Sequence, residues 1–183
     1  VVEARLFVHA NNQLAAQFDA NSSEFSSNLG ADNMGSLSFT YTNKTQLSQF
    51  NVKLLAFVDL DIEASKNGFS NEYGSFVGLS LPLGAASGAI PPSSWEIDEP
   101  GFVFGDIYQH LTSGALDNSN AVGLGGSDDV SLALGFLVNE IKANEKFTVT
   151  LSLSATDIAG LMQVDPLSQK RVWVNGYAFP GGA

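Results

Sequence analysis

Acidic side chains in the middle of the chain have no basic residues near them in sequence. Between Lys66 and Lys142 there is neither Lys nor Arg, although nine acidic residues lie in that stretch. Like charges repel one another unless water separates them or a cation neutralises them. Two interpretations follow: a solvated acidic surface, or one or two calcium sites in loops.

Calcium is bound by about six to eight oxygen ligands, and three short acidic segments could each supply several of them. The segment 59–63 begins like an EF-hand loop, but Ala64 stands where that loop has Gly and Ser70 where it has Glu. On a strand its alternating acids share one face, which fits either a bridging cation or plain exposure to solvent. The candidate metal ligands are Asp59, Asp61, Asp117, Asp128 and Asp129.

The sequence carries no recognisable catalytic set. It has no Cys and no Gly-x-Ser-x-Gly segment, and its two histidines, His9 and His110, suit structural or exposed positions better than a general base. Asp98 and Glu99 are the acids that we consider for glycoside hydrolysis, which needs two carboxylates at a fixed separation. The Gly-rich segment 123–126 lacks the spacing and the following helix of a nucleotide-binding loop. We predict that the protein is not an enzyme.

Two tryptophans, Trp95 and Trp173, could stack on sugar rings. Burial in the core of a β-sandwich is the alternative role for such side chains. An exposed Trp beside an acidic loop would favour carbohydrate binding.

Composition limits the remaining classes of function. The chain has 183 residues, 44% of them apolar, which suits one domain over residues 1–183 with its own core. A formal net charge of -11 excludes a basic nucleic-acid surface, and no apolar run reaches the roughly 18 residues of a membrane span. We expect no nucleic-acid partner, no membrane span and no required cofactor, with calcium as the one ion considered.

Alternation of apolar and polar residues predicts seven to nine strands. Both faces are apolar near Leu55 and Phe57, which predicts a central strand there. Residues 19–35 and 84–94 are predicted loops. The predicted strands are 1–10, 14–18, 36–42, 50–62, 77–83, 130–138, 147–155 and 171–174.

Helix and turn signals are few. Residues 107–113 predict a helix that Asp106 caps and Gly114 ends. Asn175-Gly176 predicts a type I′ turn with a return strand after it. The strands 130–138 and 147–155 predict a hairpin or neighbouring strands. Together these elements predict an all-β fold, an antiparallel β-sandwich of jelly-roll or Ig-like type with one short helix.

Several segments, taken in order, resemble those of a known family. They are FVDLDIEASKNGFSNEYG, SWEIDEP, FGDIYQHLTSGALDNSNAV, DDVSLALGF, FTVTLSLSAT and a final DP..Q....VNG. The chain resembles the exosortase-sorted (PEP-CTERM) extracellular surface proteins of Gram-negative bacteria, of the non-enzymatic β-sandwich type. The pieces DDVSLALGF and LDNSN are the most specific.

The resemblance implies a β-sandwich that a leader directs out of the cell, to the surface layer or the biofilm matrix. It supplies no catalytic residue. The sequence starts at Val1 without a leader. Removal of a leader, which the resemblance implies, and an intracellular protein that was trimmed both fit this start. The family's sorting tail is absent, and we expect it to be cut away where the chain stops, at Ala183.

We expect a structural or adhesive protein of the cell surface or biofilm matrix, a subunit of a self-assembling filament. In its N-terminal strand Val2, Leu6 and Val8 face inward, so this strand could complete the sheet of a neighbouring copy or its own sheet. The alternative function is a calcium-assisted carbohydrate-binding module with extracellular polysaccharide as its partner.

Overall fold

The computed structural model describes residues 2–101 and 104–182, which contain eleven strands and two short helices. Two antiparallel sheets pack face to face and confirm the predicted all-β sandwich, although the prediction of a single helix was wrong. In chain order the elements are β1 (Val2–Ala10), β2 (Gln13–Asp19), β3 (Phe25–Leu29), β4 (Gly35–Thr42), β5 (Gln49–Leu60), α1 (Ala64–Asn67), β6 (Tyr73–Gly78), β7 (Ser94–Asp98), α2 (Ile107–Ser113), β8 (Ser131–Ile141), β9 (Lys146–Ser154), β10 (Gly160–Asp165) and β11 (Lys170–Pro180). The first sheet has the order β2-β1-β5-β8-β7, and the second β3-β4-β9-β11-β10-β6.

The central position of β5 follows from its two apolar faces. One face joins the core between the sheets. On the other face Leu55 and Phe57 pack with Phe7 beneath α2, which contributes Ile107 and Leu111. A helix over the outer face explains why the middle of β5 is apolar throughout, and the predicted central strand is confirmed.

Helix α2 spans the predicted residues, but its first turn is held differently. The Asp106 side chain makes no capping bond, and its backbone N–H donates instead to Oδ2 of Asp98 at 2.8 Å. Gly114 ends the helix in the left-handed conformation with φ of 90°, as predicted. Among the described residues no helix is long and apolar enough to cross a bilayer.

The N-terminal strand is an interior strand of its own sheet. β1 joins β2 through the turn Asn11-Asn12, where both residues have positive φ, and pairs with β5 on its other side. Leu6 and Val8 are completely buried in the core, whereas the side chain of Val2 lies outside the described residues. Two of the three predicted assembly residues thus complete the sheet of their own chain, and a contact with a neighbouring copy stays a prediction.

Two segments predicted from hydropathy were wrong. The predicted loop 19–35 contains β3, a polar edge strand of which only Phe25 and Leu29 are partly buried, so that no alternation marks it. The strand predicted at 77–83 lies earlier as β6, and Leu83 is fully exposed. β7 and β10 are short strands that the pattern did not predict.

The runs 130–138 and 147–155 belong to different sheets, so the predicted pairing was wrong. Residues 142–145 carry the chain from one sheet to the other, beside the crossing at 43–48. The fully buried Asn43 holds the two crossings together. Its Nδ2 donates to the carbonyl oxygens of Ile141 at 3.0 Å and Leu47 at 2.8 Å. Alternation within a strand is the same whichever sheet the strand joins, so it does not assign the sheet.

Asn175-Gly176 lies inside β11, so the predicted turn was wrong. The Asn175 side chain is buried and donates to the carbonyl oxygen of Ser80 at 3.0 Å. A Cβ on Gly176 would lie 2.7 Å from both the carbonyl oxygen of Thr150 and Cδ2 of Leu151. Close approach of neighbouring β9, and not a change of chain direction, requires glycine here.

The two sides of the sandwich differ at their sheet edges. On one side, segment 118–122 covers both outer strands. The Ile97 N–H of β7 donates to the carbonyl oxygen of Ser119 at 3.0 Å, and the Gly74 N–H of β6 donates to that of Val122 at 2.8 Å. On the opposite side β2 and β3 are outermost, and among the described residues no strand pairs with their outer edges.

Candidate functional site

Three of the predicted metal ligands, Asp59, Asp61 and Asp129, converge at one end of the first sheet. Asp59 lies near the end of β5, and Asp129 lies just before β8. Because these strands are antiparallel and Asp59 pairs with Ser131, their two ends are neighbours. One carboxylate oxygen from each aspartate lies within 4.8 Å of the others, and all three residues are partly buried. We call these three residues the aspartate cluster.

Hydrogen bonds offset the negative charge of the aspartate cluster only in part, since Asp129 accepts one from the backbone of Val130. Oδ1 of Asp59 and Oδ1 of Asp129 are buried and have no hydrogen-bond partner. Burial, and then the charges of Asp129 and Asp61, raise the pKa of Asp59 to about 7. Burial and the charge of Asp61 raise the pKa of Asp129 to about 6. The completely buried Glu72 lies close by, and burial raises its pKa to about 7.

Asp165 shows how the same fold stabilises a buried carboxylate by hydrogen bonds. Its Oδ1 accepts from Asn71 Nδ2 at 2.7 Å and from the Leu167 N–H at 3.0 Å. Its Oδ2 accepts from Asn67 Nδ2 and from Ser168 Oγ, both at 2.6 Å. Burial alone would raise the pKa of Asp165, but these donors outweigh burial and lower it. Two buried oxygens of the aspartate cluster lack any such donor, and a cation is the alternative way to neutralise it.

Without a cation, the protein is expected to lose stability as the pH rises. In the folded state Asp59, Glu72 and Asp129 keep their protons up to about pH 6–7, whereas in the unfolded chain they lose them near pH 4. The folded state therefore binds more protons between about pH 4 and pH 7, and stability falls through that window. In chelator the melting temperature should fall by about 2–4 °C for each kcal/mol of unfolding free energy that is lost.

Two Asp→Asn variants test this pH dependence, one in the aspartate cluster and one as its matched control. Asp59→Asn should flatten the dependence, because the neutral amide removes one of the repelling charges. Asp157→Asn, at an exposed loop residue, should leave it unchanged. Melting temperatures that are level or rise from pH 5 to pH 8 would contradict the charge repulsion.

Asp117 and Asp128, the other two predicted ligands, lie outside the aspartate cluster. The backbone of Asp128 pairs with that of Glu72. The Asp128 side chain lies beside Glu99, and burial together with the charge of Asp128 raises the pKa of Glu99. Asp117 lies close to Glu96, Asp106 and His110, on the outer side of β7. The sequence predicted the five acids as ligands, but it did not predict which of them lie together. That grouping depends on the register of β5 against β8 and on the position of α2.

The two acids considered for hydrolysis, Asp98 and Glu99, make different contacts. Asp98 accepts backbone N–H groups at 2.8 Å, from Glu99 on Oδ1 and from Asp106 on Oδ2. The Glu99 side chain lies towards Asp128 instead. The two carboxyl groups therefore differ in their hydrogen bonds, although the charge of Asp98 also contributes to the raised pKa of Glu99.

A cleft of about 870 Å³ lies at the end of the sandwich where the aspartate cluster lies, and residues of both sheets line it. Leu60 and Val172 contribute apolar lining, and Asp61 both lines the cleft and belongs to the aspartate cluster. Val172 and Val174 point into the core, so the side chain of Trp173 between them leaves the sheet on its outer face. Trp173 is partly exposed at the mouth of the cleft.

Polar and charged residues surround the mouth of the cleft. The exposed Arg171 shares the outer face of β11 with Trp173. Lys170 pairs with Glu63, which also pairs with Lys66 at 2.8 Å. Side chains with several donors and acceptors beside an aromatic ring suit a polar ligand with an apolar face. The size of the cleft lies within the range of small-molecule sites.

Trp95 has a different role. Its ring stacks on Phe76 with a centroid distance of 4.3 Å and an interplanar angle of 22°. Since Trp95 belongs to β7 and Phe76 to β6, the stack joins the edges of the two sheets. Trp95 is partly buried against the core, and we assign it to packing.

No protein-family model, no curated protein and no solved structure matches this chain.

Proposed function

We propose that the protein is an extracellular, non-enzymatic adhesive β-sandwich that binds carbohydrate in the cleft at the end of the two sheets. The observation that carries this proposal is the position of Asp61, which lines the cleft and belongs to the aspartate cluster. A cation bound by the cluster would lie beside the cleft, where it can order the wall or bind ligand hydroxyls. The cell surface and the biofilm matrix, as the location, rest on the family resemblance.

The chemistry of the cleft supports a sugar ligand. A sugar ring has an apolar face that stacks on an aromatic ring and hydroxyls that need donors and acceptors. Trp173 offers the ring, and Arg171, Gln169 and Asn33 offer polar groups around the same cleft. Calcium suits the aspartate cluster because carboxylate oxygens are its preferred ligands.

Trp173→Ala is expected to weaken carbohydrate binding at least tenfold, which corresponds to about 1.4 kcal/mol of binding free energy. The measurement is binding of neutral and uronate oligosaccharides in calcium, first on an array and then by calorimetry. Phe179→Ala is the matched control, since Phe179 is an aromatic on the same strand, about 20 Å from Trp173 at 3.3 Å per residue.

Calcium and the sugar are tested in the same experiment. Chelation should weaken sugar binding by the wild type and should leave any residual binding by Trp173→Ala little changed. No binding to any oligosaccharide, or equal binding by Trp173→Ala and the wild type, would rule out the cleft as a sugar site.

Self-assembly into a filament is a second candidate, and the position of the hairpin β1–β2 favours it. This hairpin forms one end of the first sheet, so its exchange between copies leaves β5, β8 and β7 paired. The same hairpin position in a neighbouring copy would then be filled by an identical sequence. Negative-stain electron microscopy of the protein with and without calcium is the test. Regular filaments would support exchange, and discrete particles in both conditions would contradict it.

A further inference from the structure

A second group of side chains, on the far side of β7 from the core, contains a nitrogen ligand as well as carboxylates. Glu96 comes from β7, His110 from α2, Asp106 from the residue before α2, and Asp117 from the segment after it. One ligand atom from each of the four lies within 4.8 Å of every other. We call them the histidine cluster.

The contacts of His110 divide the carboxylates between its two ring nitrogens. Nδ1 lies 2.7 Å and 2.9 Å from the two oxygens of Glu96 and 4.0 Å from Oδ2 of Asp117. Nε2 lies 3.6 Å from Oδ2 of Asp106. Two carboxylates therefore meet at one nitrogen, and a third meets the other.

The charge of the histidine cluster favours a bound cation. Glu96 is buried, with its side chain 1% exposed, and a buried carboxylate needs a compensating charge. One imidazolium can offset one of the three carboxylates, and no Lys or Arg occurs between Lys66 and Lys142. Apart from His110, the neighbouring donor to Glu96 is the Asp117 N–H at 3.3 Å.

We infer that the histidine cluster binds Zn²⁺ through Nδ1 of His110, Glu96 and Asp117, with Asp106 as a positioning residue that accepts from Nε2–H. Imidazole with carboxylates suits zinc, whereas calcium prefers oxygen ligands alone. Ligand atoms of a tetrahedral zinc with bonds of about 2.0–2.1 Å lie roughly 3.3 Å apart. The present separations of 2.7–4.0 Å at Nδ1 bracket that value, so small side-chain movements are sufficient.

Proton balance is simple at this site. As the imidazolium, His110 can donate its Nδ1–H to Glu96. Zinc takes the place of that proton at Nδ1, the proton passes to solvent, and the ring keeps its other proton on Nε2, which faces Oδ2 of Asp106 at 3.6 Å. A carboxylate behind a zinc-bound histidine is a common arrangement that fixes the tautomer and the orientation of the ring.

The test is zinc titration by calorimetry on calcium-saturated protein, so that the aspartate cluster does not compete. One Zn²⁺ per chain is expected. His110→Gln and Asp117→Asn should each weaken binding at least tenfold, and Asp106→Asn roughly tenfold or more. Asp157→Asn, the matched control at an exposed acid, should bind as the wild type does.

Two results would overturn the inference: no zinc binding by the wild type, or unchanged zinc binding by both His110→Gln and Asp117→Asn. Asp117→Asn keeps the contact between His110 and Glu96, so it stays informative if His110→Gln does not fold. Nuclear magnetic resonance of the imidazole nitrogens gives a second measurement. In the zinc-bound protein Nε2 is expected to keep its proton and Nδ1 to lack one, and a proton on Nδ1 with none on Nε2 would overturn the assignment of the ligand atom.

Discussion

Removal of residues 1–10 is expected to leave a chain that does not fold, because β1 is an interior strand. It pairs with β2 on one side and β5 on the other. Its residues reach both cores, with Leu6 and Val8 between the sheets and Phe7 beneath α2. Loss of this strand exposes the edge of β5 and opens both cores. Circular dichroism and size-exclusion chromatography of the truncated chain would show the loss.

A single substitution in β1 tests the same structural role without removal of the strand. Leu6→Ala should cost about 2–5 kcal/mol of unfolding free energy, since the side chain is fully buried. That is a large share of the roughly 5–15 kcal/mol typical of a domain. Leu14→Ala is the matched control on the paired strand, where Leu14 is 45% exposed, and it should cost well below about 1 kcal/mol. Equal midpoints in denaturant would contradict the interior position of β1.

A peptide of residues 1–10 separates the two uses of this strand. If β1 can be donated between copies, the added peptide should restore the fold of the truncated chain. A truncated chain that stays folded and monomeric without the peptide would contradict the structural role argued above. Peptide that fails to restore a truncated, unfolded chain would count against strand exchange.

Calcium is expected to raise the melting temperature by several degrees through the aspartate cluster. Ligand at about 100 times its dissociation constant stabilises a protein by about 2.7 kcal/mol. For a domain of this size that is roughly 5–10 °C. Differential scanning calorimetry at pH 7.5, in calcium and in chelator, measures the difference.

Asp59→Asn should act in opposite directions in the two conditions. In chelator it removes a charge that repels Asp61 and Asp129, so it should stabilise the protein. In calcium it removes a ligand, so the response to the ion should be lost. Asp157→Asn should keep the full response. If Asp59→Asn keeps the calcium response, the ion binds outside the aspartate cluster.

Sequence periodicity identified the strands that bury one complete face. β1, β4, β5, β8 and β9 alternate clearly, and each was predicted close to its observed bounds. β3, β7 and β10 escaped prediction because they are short or lie at an edge, where burial does not impose a pattern. The helix α2 was predicted because Ile107 and Leu111 lie one turn apart with Gly114 behind them.

The candidate site was predictable by residue type but not by grouping. The sequence marked Asp59, Asp61 and Asp129 as possible ligands, yet nothing in their spacing brings Asp129 to the other two. That contact depends on the antiparallel register of β5 and β8. The histidine cluster escaped prediction for the same reason, since it depends on α2 packing beside β7. An alternating pattern carries no information about which strands become neighbours.

The difference between the two sides of the sandwich determines which strand edges could take part in association between copies. Segment 118–122 already occupies the edges of β6 and β7, so a new strand could pair with β2 or β3 alone. A contact between two β2 edges, or between two β3 edges, is isologous and has two-fold symmetry. A contact between the β2 edge of one copy and the β3 edge of the next is heterologous, so it could extend into a longer chain of subunits without any exchange of β1.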